Sequence, residues 1–120
     1  SWWDTVDGLA GWVVGSKLKD HPQKKDILEK WMDSNNIWLQ RTCLLFQLKY
    51  KEETNTELLS SFIKRLKESD EFFIQKAIGW ILREYSKTDK DFVINFIEKN
   101  NLADLSRREG LKWLRNKGMI

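Results

Sequence analysis

Phe72-Phe73-Ile74-Gln75-Lys76-Ala77 restates, 35 positions on, the segment Ile37-Trp38-Leu39-Gln40-Arg41-Thr42, and Tyr50 meets Tyr85 at the same offset. A further shift of 32 returns Leu105-Ser106-Arg107-Arg108. Apolar residues on either side recur at helical rather than alternating spacing, so each unit of 32 to 35 residues holds two helices. In a helical solenoid neighbouring pairs share one continuous core, which predicts three degenerate units after a lone first helix. The alternative is an ordinary helical bundle whose similar segments arose by chance. On either reading the chain is all-α, with six or seven helices and no strand.

Helix starts are marked by caps. The first helix is expected from about Trp3 to Gly15. Its Gly8, Gly11 and Gly15 each cost about 1 kcal/mol relative to alanine, which points to a close backbone approach or an open floor beside a ligand. The second has Pro22 in its first turn, where the missing N–H does no harm, and ends near Asp33. Asn35 or Asn36 caps the third, which reaches about Tyr50. Thr54 with Glu57 has the capping-box pattern ahead of Leu58, Leu59, Phe62, Ile63 and Leu66. Asp70 precedes a fifth helix to about Tyr85, and Thr88 with Asp91 opens a sixth. Asn100 and Asn101 form the turn before the last helix, which Ser106 with Glu109 opens as a second capping box and which ends near Lys117 and Gly118.

The 120 residues fit one domain, and the balance of 41% apolar to 32% charged residues is that of a globular chain. One cysteine, Cys43, excludes an internal disulfide, and with the single histidine, His21, leaves too few ligands for a structural zinc site. No stretch approaches the roughly 18 apolar residues that span a bilayer, and no secretory signal pattern opens the chain. A cytoplasmic location is therefore expected. The formal net charge of +3 is uneven: residues 1–35 carry five lysines against six acidic residues, while the remainder carries 16 basic and 12 acidic ones. A polyanionic partner is permitted. Seven tryptophans exceed what so small a core needs, so some should face a ligand. Ser1 is followed at once by two tryptophans, which suggests a piece of a longer chain.

Equivalent repeat positions line up on one face of a solenoid, so Arg41, Lys76 and Arg108 would form a row of cations suited to nucleic-acid phosphates. A solvated row with no partner is the competing possibility. The last helix adds Arg107, Arg108, Lys112, Arg115 and Lys117 against Glu109, a local +4 that suits phosphate or simply complements the helix dipole. Trp12, Trp31 and Trp113 should pack between helices, Cys43 should be a small buried hydrophobe, and His21 a loop residue. In Trp2-Trp3-Asp4-Thr5-Val6-Asp7, positions 3 and 7 share a helix face, placing an indole beside a carboxylate. Such a pair favours a cationic ligand, although an interface tryptophan with a first-turn aspartate has the same spacing.

These segments resemble the AlkD-like DNA alkylation repair glycosylases: Trp-Trp-Asp-Thr-Val-Asp at 2–7, Trp-Leu-Gln-Arg at 38–41, the run from Phe72 to Lys87, and Leu-Ser-Arg-Arg-Glu at 105–109. The resemblance spans nearly the whole chain and corresponds to that family's C-terminal half. It implies a right-handed superhelical solenoid of HEAT-like helix pairs holding duplex DNA in a basic groove. It further implies excision of N3-alkyladenine and N7-alkylguanine without base flipping, no cofactor or metal, and a monomer in full-length form. Carried over by position, Asp7 resembles the catalytic carboxylate, Trp3 and Trp80 the flanking indoles, and Arg41 the phosphate-contacting arginine. Lys76 and Arg108 are extended to phosphate contact from the repeat. The rivals are a catalytically silent relative that binds DNA backbone or branched DNA, and a protein-binding scaffold.

Overall fold

Leu59, Phe62, Ile63 and Leu66 recur at the three- and four-residue spacing that puts side chains on one side of a helix. In the computed structural model of the chain they are the buried side of a helix at Thr56–Leu66. The structure describes residues 13–120, which hold seven α-helices and no strand. These are α1 at 13–18, α2 at Lys24–Met32, α3 at Ile37–Leu45, α4 at Thr56–Leu66, α5 at Phe72–Ser86, α6 at Lys90–Lys99 and α7 at Asp104–Asn116. A 3-10 turn at Lys51–Glu53 joins α3 to α4.

The helices form two layers. α5 packs along both α3 and α7, so these three helices stack in chain order; α2 and α4 lie on α3, and α6 lies on α5 and α7. Leu28, Leu44, Phe62, Ile78, Leu82 and Val93 are fully buried in one continuous core running through the pairs. In the outer layer Arg65 of α4 reaches back to α2, 2.9 Å from Glu29 and 3.2 Å from Asp33. Exposed pairs of this kind contribute at most about 1 kcal/mol, so the shared core carries the stacking.

The repeat extends to hydrogen bonds. Gln40 Nε2 donates to the Met32 carbonyl at 3.1 Å, and 35 residues on Gln75 Nε2 donates to the Lys67 carbonyl at 2.9 Å. Each glutamine thus ties the start of an inner helix to the end of the outer helix before it. A chance likeness of sequence would not reproduce both partners.

Several helix boundaries differ from those the caps predict. Asn36 does cap α3, its Oδ1 accepting from the Trp38 and Leu39 amides at 2.9 and 3.2 Å. Pro22, however, lies in a turn ahead of α2, and Gln23 is the residue that precedes the helix. Asn55 rather than Thr54 caps α4, accepting from Leu58 N at 3.0 Å, and Asp89 rather than Thr88 caps α6, accepting from Phe92 N at 3.0 Å. In both places an Asx side chain, the stronger cap, stands next to a threonine. Helix α3 ends at Leu45 instead of near Tyr50. Beyond it the chain turns through Leu48 N to Leu45 O and Tyr50 N to Gln47 O, and the Gln47 amide is held by the Asn55 backbone. Ser106 opens no helix: α7 begins at Asp104, and Ser106 is fully buried within it.

Gly15 is a close-approach glycine, since a Cβ there would stand 2.1 Å from the Phe46 carbonyl oxygen; Gly8 and Gly11 lie outside the described residues. The Tyr50 hydroxyl donates to the Gly15 carbonyl at 2.6 Å, fastening α1 to the turn after α3, and burial pushes that phenol above its ordinary range. Trp31 packs against the core and Trp113 is half-buried, while Trp12 lies outside the described residues. Cys43 is fully buried, its thiol donating to the Leu28 carbonyl at 3.5 Å. Burial pushes that thiol from 9.0 up to about 12, opposed by Arg65 and reinforced by Glu29.

Candidate nucleic-acid interface

The inner helices α3 and α5 begin with aromatic residues, and their first turns lie side by side. Trp38 in the first turn of α3 meets Phe73 in the first turn of α5 with ring centroids 5.3 Å apart, and Phe73 in turn meets Phe72 edge-on at 5.3 Å. Rings of this size would ordinarily be turned into the core. Here Trp38 is 52% and Phe72 50% exposed, so an aromatic ridge stands at the surface where two repeats join.

Arg41 lies beneath that ridge. Its guanidinium is 5.6 Å from the Trp38 ring centroid and 5.4 Å from that of Phe73, and Nη1 donates to the Phe73 carbonyl. The residue is only 2% exposed. A planar guanidinium suits the place because its faces stack on rings while its edges donate. Arg41 thus belongs to the junction between repeats, beneath the exposed Trp38 rather than at the surface itself. Lys76, its repeat equivalent on α5, is half-buried with its ammonium 5.9 Å from the Phe72 ring centroid. Arg108, the next equivalent, is exposed on α7. The predicted row of three cations therefore grades from buried to exposed along the stack.

Trp80 sits on α5 one helical turn after Lys76, on the same side, packed in part against the core with the rest of the indole accessible. One turn further, Arg83 forms an ion pair with Glu109 of α7 at 3.2 Å. Phe72, Lys76, Trp80 and Arg83 thus make a mixed aromatic and cationic stripe along α5. Asp7 and Trp3 lie outside the described residues, so the structure brings together Arg41, Lys76 and Trp80 along adjoining helices and describes no geometry for the remaining pair. Trp38, Phe72 and Phe73 were not singled out from the sequence as functional. The signal was present in the repeat itself, which sets Trp38 and Phe73 at equivalent positions.

Other polar features lie elsewhere. A cleft of about 390 Å³ opens between the far end of α5 and the segment after α3, lined by Gln47, Lys51, Glu52, Glu84, Tyr85 and Lys87. It adjoins the C-terminal half of α5, away from the ridge, and burial followed by Asp89 and Glu52 pushes the Tyr85 phenol upward. His21 is exposed, its Nδ1 accepting from the Gln23 amide at 3.1 Å, as a loop residue does. Among the described residues no group of His, Cys, Asp and Glu is placed to hold a metal ion, and no helix is long and apolar enough to cross a membrane.

Stacked helix pairs with an aromatic and basic edge define a helical-repeat protein. The chain belongs to the DNA alkylation repair enzyme family, whose profile matches residues 1–114. Among solved structures it is similar to one described as a predicted DNA alkylation repair enzyme from Enterococcus faecalis, at 40% identity and a TM-score of 0.83. That similarity covers 95% of this chain and 54% of the other, so the chain spans about half the length of the protein it matches. No curated protein matches it.

Proposed function

We propose that the full-length protein is a DNA glycosylase that excises cationic alkylated purines, N3-alkyladenine and N7-alkylguanine, from duplex DNA without flipping them into a pocket. The observation that carries this reading is membership of the DNA alkylation repair family across residues 1–114, with Trp3, Asp7, Arg41 and Trp80 all present at the positions the AlkD-like resemblance needs. The ridge at the starts of α3 and α5 supports it. Stacked rings next to a guanidinium and an ammonium suit a ligand that is flat in its bases and anionic in its backbone.

An alkylated purine is already positively charged and departs readily, so little protonation of the leaving base is required. The enzyme's task is to stabilise the sugar as it turns oxocarbenium-like and to place a water. A carboxylate about 4 Å from that charge contributes about 4 kcal/mol at an effective dielectric near 20, roughly a thousandfold in rate. Asp7 takes that role, Trp3 and Trp80 line the sugar and exclude solvent, and Arg41, Lys76 and Arg108 hold flanking phosphates. No cofactor enters, and the protein acts as a cytoplasmic monomer.

The test is release of 7-methylguanine from methylated duplex by the full-length protein. Asp7→Asn should lower single-turnover excision by about a thousandfold with duplex affinity within a few-fold of the parent. Binding without release by the parent protein would identify a silent relative that holds the DNA backbone. Absence of any salt-dependent DNA binding would point to a protein-binding scaffold.

A further inference from the structure

On α7, Arg108, Lys112 and Arg115 stand three and four residues apart, on one side of the helix and all exposed. That side faces away from Ser106, Gly110 and Leu114, the residues α7 buries. Its acidic residues do not neutralise the stripe: Asp104 pairs with Arg107 at 2.5 Å, and Glu109 pairs with Arg83 of α5. Arg108, Lys112 and Arg115 have no ion pair among the described residues, and with Glu109 and Asn116 they line a shallow cleft of about 230 Å³.

The repeat tells where this stripe points. At the offset of 32 that relates Lys76 to Arg108, Trp80 corresponds to Lys112 and Arg83 to Arg115. The stripe on α7 is therefore the next copy of the stripe on α5, with its aromatic position turned into a lysine and its arginine left without the carboxylate that Arg83 has. We propose that Lys112 and Arg115 prolong the DNA-holding face beyond the lesion site, gripping phosphates of undamaged duplex together with Arg108. Seven residues of helix span about 10 Å, enough to follow about three phosphates at about 3.4 Å of axial rise per strand. The stripe reads no base; it lengthens the footprint. The inference rests on the reading that the full-length protein holds duplex DNA, not on its removing a base.

The experiment measures affinity of the full-length protein for a short unmodified fluorescent duplex across a salt titration. It compares the parent protein, Lys112→Gln/Arg115→Gln, and the charge-matched control Lys25→Gln/Lys30→Gln on the outer helix α2. Melting temperatures of the three proteins are recorded alongside, since all four positions are exposed. For the stripe variant the slope of log K against log salt should shrink by about 1.8, and affinity at ~0.1 M salt should fall roughly fiftyfold, with the curves converging at high salt. The control should keep the parent slope. A stripe variant with the parent slope, or a control that loses as much, overturns the inference and leaves the proposed function standing. A parent protein that binds duplex but releases no base overturns the glycosylase reading while the stripe result still stands. If the parent shows no salt-dependent binding at all, the inference is wrong along with the duplex-holding role.

Discussion

At the α3–α5 junction the Arg41 guanidinium crosses between helices to the Phe73 carbonyl; one repeat on, at the α5–α7 junction, the Ser106 hydroxyl crosses to the Gln75 carbonyl at 2.7 Å. The second junction is closed around neutral groups, with Arg83 and Glu109 as a partly buried ion pair beside them. Ser106 Oγ also lies 2.7 Å from Gln75 Oε1, so its one hydrogen is shared between two oxygens, and Gln75 Nε2 is in turn held by the Lys67 and Ser69 carbonyls in a small interior polar network. Gly79 lets the helices approach until a Cβ there would stand 2.6 Å from Glu109 Cβ. The first junction instead buries a charge under half-exposed rings. Burying a cation costs free energy that a neutral network avoids, and at the first junction the Trp38 and Phe73 rings and the Phe73 carbonyl offset that cost. One repeat architecture thus joins its inner helices through a neutral hydrogen bond at one joint and through a buried cation at the other.

The largest effect should separate α3 from α5 in alkali. The Cys43 thiol of α3 is held up to about 12 from 9.0, so the folded protein binds a proton that the unfolded chain has released. The associated stability is fully present below about pH 9 and is lost as pH climbs toward 12, on the order of 4 kcal/mol in total. Ile78, the α5 counterpart of Cys43 in the repeat, has nothing to titrate, and the raised phenols of Tyr50 and Tyr85 give a background that Cys43→Ala leaves in place. Denaturant melts at rising pH should show Cys43→Ala losing most of this dependence; an unchanged slope would remove Cys43 as its source.

Gly79→Ala should cost about 1–3 kcal/mol by forcing α5 and α7 apart, visible as a lower urea midpoint. Its effect on excision should come only through stability, in contrast with the ridge. Arg41→Met should have the opposite profile. Methionine fills much of the volume without a charge, so the urea midpoint should move less than for Gly79→Ala. Duplex affinity should fall about thirtyfold, about 2 kcal/mol, as the Trp38 and Phe73 rings lose the desolvated guanidinium stacked on them. Equal losses in stability and affinity would erase the distinction between the joints. Ser106→Ala, the smallest of the four, should cost about 1–2 kcal/mol because Gln75 loses its buried donor, with base release from methylated duplex retained at saturating protein.

Much of this organisation was legible in the residues. The 35-residue repeat put Gln40 and Gln75 at equivalent positions, where the structure shows the same bond to the preceding outer helix, and the spacing of Phe62, Ile63 and Leu66 anticipated the buried face of α4. Ser106 with Glu109 misled, because a serine three residues before a glutamate looks the same whether its hydroxyl caps its own helix or bonds to a neighbouring one. Thr54 and Thr88 misled more mildly, each standing beside the Asn or Asp that makes the cap. For the candidate site, the positions of Arg41, Lys76, Trp80 and Arg108 came from the repeat and the family resemblance, and the ridge of Trp38 and Phe72 did not.

Periodicity and composition by themselves determined an all-helical chain of stacked pairs and the register relating α3, α5 and α7. Side-chain order along a helix sets which residues share a face, and a helix needs no distant partner to have that order. Only the tertiary structure decided depth and contact: that Arg41 is buried while Arg108 is solvated, that Ser106 bonds across to Gln75, and that Trp38 and Phe72 stay at the surface. Those outcomes depend on how closely neighbouring helices approach and on which carbonyls and rings they present, properties of the packed assembly that no single helix carries.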